Sequence, residues 1–280
     1  MMKLFKHKTP KIGIALGSGA ALGLAHIGVL KALNEEKLPI QAIAGTSIGA
    51  VIGACFAKYG EIDSVEKMAL RMDWRQIARL LDLNINMLNK GLLNGQRVEK
   101  LLYSLIGDIE FKDLNIPFVA VATDVNTGKE IIINDGPVVA AIRASISIPG
   151  IFVPVLHKGK CLVDGGTVDP VPTDILRDME SRFIIAVNVL HERHESKGIG
   201  LSNKRETLQI PNILDTLIQS IYIMEHAIIQ NRIPKADIII NPDTKHIEPF
   251  EFYKGKEAIS AGYDAARNAL PKIRELLLID

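Results

Sequence analysis

Apolar residues along the chain come in short runs bounded by glycine-rich or polar turns, and most runs lead into a segment whose apolar positions recur at helical spacing. This pattern predicts strands at 12–16, 41–44, 117–123, 130–134, 161–163, 183–189 and 237–240. It predicts helices at 24–36, 48–58, 63–70, 96–105, 138–145, 172–179, 211–231 and 256–277. Strand and helix alternate, so the expected fold class is α/β, a three-layer arrangement with a mostly parallel sheet between helices on both faces. The stretch 62–106 has helical periodicity and no convincing strand, which predicts a helical cap inserted into the domain. Residues 11–280 then form a single domain behind a basic N-terminal tail, residues 1–10.

Composition narrows the picture. At 280 residues and 48% hydrophobic, the chain can bury a sizeable core. A net charge of +1 gives no global field to attract nucleic acid. The two cysteines, Cys55 and Cys161, have neither metal-like spacing nor the number a disulfide framework needs, so a reducing, cytoplasmic setting is expected. Lys3, Lys6, Lys8 and Lys11 precede an uncharged run as in a signal peptide, but Gly13, Gly17, Gly19, Gly23 and Gly28 interrupt it. The run 38–57 reads as strand, turn and helix rather than a bilayer span. Residues Met1–Lys8 mix basic and apolar side chains; a frayed terminus is the plainer reading, and transient contact with a membrane surface the competing one. His191–Glu206 reads as a solvated polar loop. The apolar face of 211–229 (Ile213, Leu214, Leu217, Ile218, Ile221, Ile223) suits either core packing or a homodimer.

Two glycine-rich turns carry the candidate chemistry. The first, Gly17-Ser18-Gly19-Ala20-Ala21-Leu22-Gly23, follows the first strand and opens a helix, as a phosphate-binding loop does. A dinucleotide site also needs an acid at the end of the next strand; that strand instead ends in Gly45-Thr46-Ser47-Ile48-Gly49. A G-x-S-x-G turn between strand and helix is the setting of a nucleophile elbow, with Ser47 the nucleophile and Gly45 and Gly49 the small flanks. The bland alternative is Ser47 as the N-cap of the following helix. Successive N–H groups of Gly17, Ser18 and Gly19 suit an oxyanion better than a cofactor, since parallel strands one and two bring both turns into one crevice. A serine nucleophile needs a base. Of the histidines, His26 reads as packed, and His157, His191, His194, His226 and His246 have no distinctive setting. In Cys161-Leu162-Val163-Asp164-Gly165-Gly166 a short strand delivers a carboxylate to a glycine pair, a pattern that also describes an ordinary turn.

In this order the motifs resemble the patatin-like phospholipase family. The match comprises the glycine loop with Gly23-Leu24-Ala25-His26-Ile27-Gly28-Val29-Leu30, the elbow, Ala122-Thr123-Asp124, Ala144-Ser145-Ile146-Ser147-Ile148-Pro149-Gly150, and Asp164-Gly165-Gly166. The resemblance implies a lipid or acyl-ester substrate, a Ser47–Asp164 dyad without catalytic histidine, an oxyanion hole in the loop, and no metal or cofactor. It implies a partly dry pocket with few other carboxylates. The chain departs from the family where Ala20 replaces a usual glycine and Leu22 a usual basic residue. Three competing expectations stand beside the hydrolase: a Ser-His-Asp esterase, a non-catalytic acyl-lipid-binding protein, and a dinucleotide oxidoreductase.

Overall fold

The computed structural model describes residues 11–71, 95–190 and 213–279. The basic tail 1–10, residues 72–94 of the expected cap and the polar loop 191–206 lie outside the described residues.

Eight strands form one sheet: β1 (Ile12–Leu16), β2 (Ile40–Thr46), β3 (Phe118–Asp124), β4 (Lys129–Ile133), β5 (Val155–His157), β6 (Lys160–Asp164), β7 (Phe183–Val187) and β8 (Ile238–Ile240). Strands β3, β2, β1, β7 and β8 lie side by side in that order, all parallel. The helices are α1 (Ala25–Glu35), α2 (Ile48–Tyr59), α3 (Asp63–Arg71), α4 (Gln96–Ile106), α5 (Val138–Ser145), α6 (Thr173–Asp178), α7 (Ile213–Arg232) and α8 (Gly255–Ile279). Alternation along the strands sorts the two faces. Ile12, Ile14, Leu16, Ile43, Ile185 and Val187 point into a large core closed by α1, α2, α4, α5 and α8. Ala15, Ala42, Ala44, Ile184 and Ala186 point the other way, into a thinner layer under α6 and α7. Strands covered on both faces read as continuous apolar runs, which is why the pattern was legible.

The antiparallel strands sit around β3. Strand β4 pairs with β3 over Ala120–Asp124, while β2 and β6 share the opposite edge of β3. The β5–β6 hairpin turns through Lys158 and Gly159, both at positive φ, the geometry of a type I′ turn. Strand β5 was not anticipated; three residues are too few for period-two alternation to be visible. Helix α4, at the end of the expected cap, packs against α2 and α5 and buries Leu102 and Ile106. Among the described residues no helix is long and apolar enough to cross a membrane.

Candidate active site

Pairing on one edge of β3 brings Ser47 and Asp164 together. Strand β2 runs up that edge and ends with Thr46 opposite Val121; β6 runs down it and ends with Asp164 opposite Ala122. The two strands thus meet end to end, and the residues at their tips are neighbours although 117 positions apart in sequence. Ser47 Oγ donates to Asp164 Oδ2 at 2.6 Å.

The elbow is fixed from several sides. Ser47 has φ 56° and ψ −123°, a strained combination for a residue with a side chain. Its N–H donates to Ser145 Oγ at 2.9 Å, and its carbonyl accepts the N–H of Ala50 at 2.9 Å. The hydroxyl makes no helix-capping bond, so the N-cap reading of Ser47 is set aside. The flanking glycines are sterically required: a Cβ on Gly45 would lie 2.6 Å from the Gly49 carbonyl oxygen, and one on Gly49 2.1 Å from that of Leu16.

Asp164 is equally constrained. Its Oδ1 accepts the N–H of Gly166 at 2.8 Å, its own N–H donates to the Ser147 carbonyl at 3.0 Å, and its carbonyl accepts Thr123 Oγ1 at 3.1 Å. Gly165 passes so close to β3 that a Cβ would come within 2.4 Å of the Val121 carbonyl oxygen. The segment 145–147 therefore holds both chemical residues at once, through a side chain at Ser145 and a carbonyl at Ser147.

The glycine loop faces Ser47, with one correction to the donors expected from sequence. The N–H of Gly17 donates to the Val187 carbonyl (3.1 Å), continuing the parallel pairing of β1 with β7, and that of Ser18 donates to the Pro170 carbonyl (2.8 Å) in the loop before α6, so both are consumed. Among the described residues, the first whose N–H groups have no backbone acceptor are Gly19 and Ala20, and both line the pocket with Ser47 and Asp164. Ala20 sits at φ 48°, in the left-handed region where glycine would be unstrained. Leu22 is buried in the large core and lines neither pocket beside Ser47. His26 is fully buried; its Nε2–H donates to the Gly17 carbonyl at 2.8 Å, which props up the loop, and burial lowers its pKa to about 4. No described histidine lines either pocket at Ser47, and His246 lies on the surface beside Glu257. Among the described residues no group of His, Cys, Asp and Glu could hold a metal ion.

Burial raises Asp164 to a pKa of about 7 against the opposing effect of the Ser47 and Gly166 hydrogen bonds. Among the described walls of the pocket one other carboxylate joins Asp164: Glu225 of α7, which accepts Ser18 Oγ at 3.0 Å. Burial, and then the charge of Asp164, raise it to about 8. Its sequence signal was an acid on the stripe Ile218, Ile221, Glu225, Ile229, all buried and spaced as one helix face. Sequence reasoning also missed the bond from Ser47 to Ser145, since only tertiary packing pairs residues 98 apart.

Ser47 stands where two pockets join. One is small and of mixed character, lined by Ser18, Gly19, Asp164, Tyr222 and Glu225 together with Ile148, Ile218, Ile221 and Phe250. The other, a cleft of about 780 Å³ including space open to solvent, has almost wholly apolar walls from α2, α4 and the segment around Ile148, with Phe250 and Phe252.

The sequence profile of the patatin-like phospholipase family matches residues 14–177. Among curated proteins, an uncharacterized NTE family protein of Mycobacterium tuberculosis is 40% identical over 181 residues, 65% of this chain and 49% of the relative. A second from the same organism is 31% identical over 272 residues, 92% of this chain and 46% of the relative. The chain thus spans about half the length of these relatives. Neuropathy target esterase sws of Drosophila melanogaster is 32% identical over 185 residues, 64% of this chain and 13% of that protein. Among solved structures, VipD from Legionella pneumophila shares the fold, with a TM-score of 0.54 at 12% identity, covering 95% of this chain and 67% of VipD.

Proposed function

From the premise that the chain belongs to the patatin-like phospholipase family, we propose that it is a lipid acyl hydrolase working through Ser47 and Asp164. The observation that carries this is the 2.6 Å hydrogen bond from Ser47 Oγ to a buried carboxylate at the mouth of an apolar cleft. Ser47 Oγ attacks the ester carbonyl while Asp164 takes its proton. The N–H groups of Gly19 and Ala20 stabilise the tetrahedral oxyanion. Asp164 returns the proton to the departing alcohol, and water then repeats the cycle on the acyl-enzyme to release the acid. The acyl chain lies in the apolar cleft and the alcohol in the smaller pocket with Glu225. The family's name and that of the Drosophila melanogaster relative, neuropathy target esterase, support the same reaction class.

Treatment with a fluorophosphonate, read by intact mass and peptide mapping, tests this. The expected result is a single adduct on Ser47, lost in Ser47→Ala, with hydrolysis of medium-chain acyl esters lost in parallel. A folded wild type that stays unlabelled under conditions that label another serine hydrolase overturns it. The burial of Leu22, where the family resemblance implies a basic residue, favours acyl binding without turnover as the second reading, and that result would promote it.

A further inference from the structure

The smaller pocket beside Ser47 contains two carboxyl groups, Asp164 and Glu225, and neither pocket at Ser47 has a lysine, arginine or histidine among its described walls. Glu225 is 5% exposed and well anchored. Ser18 Oγ holds one carboxyl oxygen at 3.0 Å. The other rests over the backbone of Gly166, where a Cβ would lie 2.0 Å away. Ser18 belongs to the glycine loop and Gly166 to the turn that binds Asp164, so the carboxyl bridges the two halves of the site. Ser18, Asp164 and Glu225 line this pocket and not the apolar cleft, so with the acyl chain in the cleft the alcohol portion of an ester falls beside Glu225.

An anionic group in that space meets acids and finds no counter-charge. We propose that Glu225 is a specificity-determining residue that disfavours esters whose leaving alcohol bears a negative charge, so that preferred substrates release an uncharged alcohol, as acylglycerols do. This rests on the hydrolase reading above. Among the described residues, Asp164 from β6, the Ser18 hydroxyl from the glycine loop, the Ser47 hydroxyl from the elbow and Tyr222 from its own helix share the pocket with Glu225. Discrimination by like-charge repulsion grows as Glu225 ionises, through about pH 8. Only enzyme with ionised Asp164 turns over either ester, so titration of Asp164 cancels from a ratio of two substrates.

The test uses two para-nitrophenyl butyrates of nearly equal size, one with a ring carboxylate and one with its methyl ester. For wild type, kcat/KM for the carboxylate relative to the methyl ester is expected to fall by about tenfold as pH rises through the Glu225 titration. In Glu225→Gln the ratio stays flat and exceeds the wild-type ratio on the alkaline side. A structural role alone would lower both rates together and leave the ratio unchanged. A pH-independent wild-type ratio overturns the inference even where Glu225→Gln does not fold, as does a Glu225→Gln ratio that tracks the wild type. Wild type that hydrolyses neither ester and shows no label at Ser47 overturns the hydrolase reading, and the inference with it.

Discussion

Two turns meet at the site, and each holds a non-glycine residue in the left-handed region: Ser47 in the elbow, at φ 56°, and Ala20 in the glycine loop, at φ 48°. At Ser47 the surroundings over-determine the strain. Gly45 and Gly49 clear the space, Ser145 holds the N–H, and Asp164 engages the hydroxyl that the strained backbone presents. At Ala20 the same cost supports no reactive side chain; what the mechanism asks of this residue is its N–H, and a glycine would present that equally well. Strain in the first turn therefore positions a reactive group, whereas strain in the second is a local liability of this sequence.

Breaking the elbow chemistry has the largest effect. Asp164→Asn removes the base and should lower kcat/KM by on the order of 10⁴-fold. Wild-type activity should rise with pH through about 7, as Asp164 ionises. The same substitution should raise thermal stability on the alkaline side. A carboxyl whose folded pKa is raised from 3.8 to about 7 contributes stability that is complete below the lower value and lost as pH rises through the upper one. Melting curves of both proteins across that range should diverge with increasing pH. If they stay parallel, Asp164 is not desolvated as described.

Next comes the space the elbow needs. Gly49→Ala forces a methyl against the Leu16 carbonyl and should cost about 2–4 kcal/mol in chemical denaturation, with Gly45→Ala similar. Ser145→Ala should cost about 1–3 kcal/mol by leaving the buried Ser47 N–H without its acceptor, and should lower kcat more than it raises KM. The smallest effect sharpens the contrast from the other side. Ala20→Gly should stabilise by roughly 0.5–1 kcal/mol while changing ester hydrolysis by no more than about threefold. Loss of stability would show that Ala20 packing, and not its φ, dominates at that position.

Much of this was readable along the chain. Strands β1, β2, β3 and β7 and the helices among the described residues have apolar runs long enough to be read, and the two glycine turns declare themselves by composition. Local chemistry nevertheless left Ser47 balanced between nucleophile and cap, and Asp164 closer to an ordinary turn residue. The oxyanion donors shifted from Gly17, Ser18 and Gly19 to Gly19 and Ala20 because the backbone of the loop's start is tied to Val187 and Pro170. Those partners lie 170 and 152 residues further along the chain, and no local pattern could announce them.

The sequence by itself determined the fold class, the strand and helix periods, and the positions of the two glycine-rich turns, because these are set by composition and spacing within a few residues; that the glycines admit no Cβ follows mostly from the close approach of distant segments. Tertiary structure decided which chemical groups share one pocket. Strands β2 and β6 end against each other on β3, which turns a serine and an aspartate into a hydrogen-bonded pair. Helix α7 carries Glu225 in beside them. Burial then moves both carboxyls toward neutral pH, a shift set by the absence of water around a group and so by the fold as a whole.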